Sequence, residues 1–92
     1  MINISEKYED IANVLKILAH PARLNVIKIL LTEGPMNVTT LCEKLKMTQS
    51  TVSQHLNRLK RAEIVTSTRE GLMTYYEVVD NRAKIIYQIM CK

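Results

Sequence analysis

Thr48-Gln49-Ser50-Thr51-Val52-Ser53-Gln54-His55-Leu56-Asn57-Arg58-Leu59 is the stretch on which the fold turns. Val52, Leu56 and Leu59 fall at helical spacing and make one narrow apolar stripe. Thr48 suits the N-cap, with Thr51 three residues on. Everything else is Gln, Ser, His, Asn, Thr or Arg. An α-helix fits the major groove of B-DNA. To read bases there, it needs an apolar inner stripe to hold it on its domain and short uncharged donors and acceptors outside. Gln bonds adenine through two hydrogen bonds and Ser bonds several bases. The start of such a helix also points free backbone N–H groups at a phosphate. A polar helix face alone is ordinary solvated surface, so the flanking sequence has to decide.

Upstream, Val38, Leu41, Cys42 and Leu45 mark a short helix, and Lys46-Met47 is a tight connection. Two short helices joined in this way predict a helix-turn-helix over about residues 38–62. Downstream of Ala62 the period changes from helical to alternating. Ile64 to Thr68 and Leu72 to Val79 are rich in β-branched and aromatic residues, which predicts a hairpin over about 64–79 turning at Glu70-Gly71.

Further out, Tyr8, Ile11, Leu15 and Leu18 line a first helix over about 5–19, with Asn3 or Ser5 as its cap. Pro21 starts a second helix, faced by Leu24, Ile27 and Leu31, which Gly34-Pro35 ends. Asp80 or Asn81 caps a last helix, over about 80–91, carrying Ile85, Ile86, Ile89 and Met90. The expected fold is mainly α with a small β-hairpin, in the order α-α-α-α-β-β-α, as one domain spanning 1–92.

Composition agrees. A chain of 92 residues, 47% apolar and 24% charged, is one globular domain. Phe and Trp are absent, so Ile, Leu, Val and Met must build the core. A core this small leaves room for a partner subunit to complete burial. The net charge of +4 permits a nucleic-acid partner. Its distribution is more informative: from Lys44 through Ala62 there are five basic residues and no acid. Lys46, Arg58, Lys60 and Arg61, with Thr51, are candidate backbone contacts flanking a neutral reading face, the usual split between phosphate anchoring and base readout. Arg69, with Thr68, sits near the hairpin tip and is placed to meet a minor groove or a phosphate.

Other classes are excluded. No stretch reaches the roughly 18 apolar residues of a membrane span. The acidic start, Met1 to Asp10, does not match a secretory or transit signal, so a cytoplasmic protein is expected. Cys42 and Cys91 lie 49 positions apart and form no metal-ligand spacing. No nucleophile–base set or phosphate loop suggests an enzyme, and no cofactor is expected.

With these segments assembled, the chain resembles the ArsR/SmtB family of winged-helix repressors over about residues 8–91. The resemblance rests on His20-Pro21-Ala22-Arg23-Leu24, on Thr48 through Leu56, and on Arg69-Glu70-Gly71-Leu72-Met73-Thr74-Tyr75-Tyr76. It implies a homodimer joined by the first and last helices that binds an imperfect palindrome of double-stranded DNA. The 49–61 helix then enters the major groove, and the 66–75 wing lies near the minor groove or backbone. By position it assigns Gln49, Ser50, Ser53 and Gln54 to bases or adjacent phosphates, with His55 a further contact, and Arg69 to the wing. An imidazolium of His55 on phosphate would make affinity fall as pH rises. Arg23 is assigned a structural role.

The departures are specific. Where many members carry a Cys-Val-Cys-type metal motif, this chain has Asn37-Val38-Thr39. Where another branch has Asp-x-His, it has Asp80-Asn81-Arg82. No metal site is therefore expected. Glu63 stands where many relatives have Gly, which predicts a strained or reshaped turn. Two further readings stay open from sequence: a redox-responsive repressor using Cys42 and Cys91, and a winged-helix interaction module that does not bind DNA.

Overall fold

The computed structural model describes residues 4–91, with side chains from Lys7 onward. Of the two expected caps, Asn3 falls outside the described residues, and Ser5 lies within α1 rather than ahead of it. Helix α1 (Ile4–Leu18) leads into α2 (Pro21–Glu33), then strand β1 (Met36–Asn37), α3 (Val38–Leu45), α4 (Gln49–Arg61), β2 (Val65–Glu70), β3 (Met73–Val78) and α5 (Asn81–Ile86). A π-helical turn, Tyr87–Cys91, follows α5. The last helix is thus shorter as an α-helix than the expected 80–91.

The helix ends follow from local chemistry. Pro21 occupies the first turn of α2, where no amide hydrogen is needed, and the His20 side chain accepts the Ala22 N–H as N-cap. Asn37 caps α3 by accepting the Thr40 N–H at 2.8 Å. Asp80 caps α5, accepting from Arg82 N at 2.7 Å and Ala83 N at 3.2 Å. Burial pushes the Asp80 carboxyl up, but the Arg82 guanidinium and these two backbone donors outweigh it and hold it below the usual carboxylate range.

The sheet is larger than the expected hairpin. It has three antiparallel strands in the order β1-β3-β2. Met36 pairs with Tyr76 and Asn37 with Tyr75. In the β2–β3 ladder Val65 pairs with Val78 and Glu70 with Met73, so the turn residues are Gly71 and Leu72, one position later than expected. Gly71 has φ 62° and Leu72 is not left-handed. Gly at the first turn position is the pattern of the hairpin turn whose twist matches the flanking strands.

One apolar core joins these elements. It includes Val14, Ile17 and Leu18 of α1, Val26, Ile27 and Leu30 of α2, Leu41 of α3, Ile64, Val65 of β2 and Val78 of β3. Val52, Leu56 and Leu59 of α4 are completely buried in it. Burying such side chains contributes roughly 1.5–3 kcal/mol each, which fixes the rotation of α4 about its own axis. No buried side-chain polar atom among the described residues lacks a partner.

Candidate nucleic-acid interface

The turn between α3 and α4 is set by two backbone features. Lys46 ends α3 in the left-handed region, φ 56° and ψ 45°, and the Met47 N–H bonds back to the Cys42 carbonyl at 3.2 Å. Thr48 then caps α4, accepting the Thr51 N–H, while its hydroxyl donates to the Thr51 hydroxyl oxygen at 3.0 Å. No acid sits in the first turn of α4, and Arg58, Lys60 and Arg61 occupy its last. The positive helix end is left for an anion, and the negative end is matched by bases.

With Val52, Leu56 and Leu59 facing inward, Ser50, Gln54, Asn57 and Arg61 share the outermost stripe of α4, at steps of four, three and four. All four are exposed, as are Gln49, Thr51, Arg58 and Lys60, while Ser53 is half-buried. Asn57 shares this exposed stripe with Ser50 and Gln54, and its spacing from them is the signal that finds it. Lys44 is held by Glu33 at 2.7 Å. Lys46, Arg58, Lys60 and Arg61 make no ion pair among the described residues, so their charge is available to a ligand. Arg58 and Arg61 also line a cleft of about 200 Å³ with Asn13 and Ile17 of α1.

His55 departs from its expected place on the reading face. It is half-buried and turned toward the start of α2. Its ring lies edge-on to His20 with centroids 4.7 Å apart, and its Nδ1 accepts from Arg23 Nε at 3.3 Å. The reason is its phase: 55 flanks the buried stripe on the side where α2 packs. Burial lowers its pKa, and the neighbouring His20 and Arg23 lower it further.

The wing is joined firmly to α4. The Glu63 N–H bonds the Lys60 carbonyl at 2.9 Å and the Ile64 N–H the Leu59 carbonyl at 3.0 Å, while Glu63 takes φ 60°. This is a Schellman ending with buried Leu59 and Ile64 as its apolar pair. Glu63 therefore occupies the left-handed position that favours Gly, as its departure from the family pattern predicted. The Ile64 carbonyl in turn accepts from Val79 N and Asp80 N, which closes the base of the wing. Thr68 and Arg69 are both exposed, but Arg69 Nε donates to the Gly71 carbonyl at 3.1 Å. That bond draws the guanidinium back onto the wing's own turn.

Cys42 is half-buried against the core and Cys91 is exposed, both as free thiols. Among the described residues no group of three or more His, Cys, Asp or Glu is placed to hold a metal ion, and no helix is long and apolar enough to cross a membrane.

A capped polar helix on an apolar seat, preceded by a short helix and followed by a twisted hairpin, defines a winged helix-turn-helix DNA-binding domain. Residues 20–67 match the arsR family of bacterial regulatory proteins, and the chain belongs to that family of DNA-binding transcriptional regulators. It is 41% identical to an uncharacterised HTH-type transcriptional regulator of Methanocaldococcus jannaschii, over 92% of this chain and 96% of that one. To the transcriptional repressor PagR of Bacillus anthracis it is 38% identical, over 89% of this chain and 82% of that protein. The crystal structure of PagR superposes with a TM-score of 0.84, covering 91% of this chain and 95% of the solved one at 37% identity. A homodimeric winged helix-turn-helix domain from Mycobacterium bovis, solved by NMR, superposes with a TM-score of 0.83 at 26% identity, covering 95% and 81%.

Proposed function

We propose that this protein is a cytoplasmic repressor that binds an imperfect DNA palindrome as a homodimer. One α4 enters each of two successive major grooves. Gln49, Ser50, Ser53, Gln54 and Asn57 face base edges or the adjacent phosphates. Lys46, Thr51, Arg58, Lys60 and Arg61 hold the backbone, and Thr68 and Arg69 bring the wing to the flanking groove or backbone. The observation that carries this is the α4 stripe Ser50-Gln54-Asn57-Arg61: exposed, free of acid, and fixed in rotation by three completely buried residues.

The dimer is supported by a second face. Tyr8 and Leu15 of α1 and Ile85, Ile89 and Met90 after Asp80 are large apolar residues left exposed, Ile89 and Met90 at 77%. A groove of about 260 Å³ lined by Ile11, Val14, Leu15, Arg82, Ile85 and Ile86 lies between them. Contiguous apolar exposure of this kind is a contact surface. A second copy covers it symmetrically, because each subunit offers the same groove and the same projecting residues.

Selection of bound duplexes from a random pool tests the proposal, with parallel arms under oxidant and with zinc. The expected outcome is one enriched motif with two related half-sites. Enrichment of no motif at all would contradict DNA reading.

A further inference from the structure

Three side chains meet where α2 crosses α4. Pro21 has no amide hydrogen, so the Ile17 carbonyl in the last turn of α1 lacks its usual i+4 donor. Arg23 NH1 supplies that donor at 3.1 Å. The same guanidinium gives its Nε–H to His55 Nδ1 at 3.3 Å. Arg23 thus ties the end of α1 and the first turn of α2 to the middle of the reading helix.

The tie requires a particular form of histidine. Nδ1 of His55 accepts, so it carries no proton and the ring is the neutral Nε2–H tautomer. His20, edge-on to it, is also used as an acceptor, through Nδ1 to the Ala22 N–H. The charged or titratable groups facing His55 from α2 are His20 and Arg23. α1 contributes only the Ile17 carbonyl, through Arg23. On α4 itself Arg58 lies one turn further on. Among the described residues no carboxylate takes part, so none of them compensates a positive ring.

We propose that Arg23 is a positioning residue for the reading helix, acting through the neutral ring of His55, and that protonation of that ring loosens α4 and weakens DNA binding. A proton on Nδ1 converts the acceptor to a donor aimed at the Arg23 N–H and sets imidazolium against guanidinium. The resulting pH dependence has the opposite sign to that of a histidine on phosphate, which binds more tightly in acid.

This rests on the DNA-binding reading above, and the test separates the two. Duplex affinity is measured from pH 8 to pH 5.5 for the wild type, His55→Asn, His20→Asn and Arg23→Met, with thermal unfolding followed in parallel. Asn keeps a carbonyl near the position of Nδ1 and does not titrate. The wild type is expected to lose about three- to tenfold in affinity on acidification, the scale of one hydrogen bond. His55→Asn should show a flat profile from pH 8 to pH 5.5. Arg23→Met should be weaker at pH 8 and lack the acid loss, and His20→Asn should retain it. Affinity that rises in acid, or a loss that persists in His55→Asn, overturns the proposal. So does a loss that vanishes in His20→Asn. NMR of the free protein gives an arm that does not use DNA: His55 should be the Nε2–H tautomer at pH 8, and a protonated Nδ1 there would refute the tie. Absence of any duplex binding at pH 8 would instead strike the DNA reading itself.

Discussion

Two surfaces of this small domain are left uncovered by its described residues, and their chemistry is opposite. The outer side of α4 offers hydroxyls, amides and guanidinium groups over completely buried Val52, Leu56 and Leu59. The outer side of α1, α5 and the turn after α5 offers Tyr8, Leu15, Ile85, Ile89 and Met90. Exposed polar groups stay solvated until a partner replaces that water group by group, which selects a patterned polar ligand. Exposed apolar groups gain from being covered by almost any matching apolar surface, and the same surface on a second copy matches by symmetry. On the proposed reading, one domain carries a surface for sequence and a surface for self-association, and the spacing of the DNA half-sites follows from the second.

The sharpest way to break this contrast is to put charge on the apolar side. Leu15→Glu with Ile85→Glu is expected to yield a monomer by sedimentation and to lower operator affinity about 10²-fold or more, because linked binding of two half-sites is lost. Retention of both dimer and affinity would show that the apolar face has another occupant.

On the polar side, Gln54→Ala should cost about 1–3 kcal/mol on the specific site and little on random duplex. Arg61→Ala should weaken both alike and lower the salt slope by about 1. Equal losses on both duplexes for both changes would remove the division of labour along α4.

Asp80 tests the seat of the apolar face. Asp80→Ala should cost about 1 kcal/mol of stability by chemical denaturation, the scale of a lost N-cap. Because its folded carboxyl titrates below its unfolded value of about 4, this contribution is present above that pH. It is lost as pH falls through the lower folded value, so the gap between wild type and variant should close in strong acid. Smallest is Glu63→Gly, which relieves a left-handed residue and should raise stability by roughly 0.5–1 kcal/mol with operator affinity unchanged.

The features legible in sequence were those decided within a few residues. Thr48, Pro21 and Asp80 announce helix starts because capping is local, whereas the strained turn at Glu63 was expected only through the family resemblance, where many relatives have Gly. Strand β1 was not legible. Met36-Asn37 is too short to show a period, and only pairing with Tyr75 and Tyr76, far along the chain, makes it a strand. The apolar stripe of α4, Val52, Leu56 and Leu59, was legible from its spacing, but the place of His55 was not. Helical phase puts 55 beside the buried stripe without saying which neighbouring helix packs there. The coupling of Arg23 to His55 across 32 positions is of the same kind.

Interference mapping with dimethyl sulfate on the selected duplex tests paired readout most directly, since the reagent marks guanine N7 in the major groove and adenine N3 in the minor. The expected pattern is two clusters of major-groove interference about 10–10.5 base pairs apart, each with minor-groove interference beside it where the wing lies. A single major-groove cluster, or interference confined to the minor groove, would contradict a dimer that reads DNA with paired α4 helices.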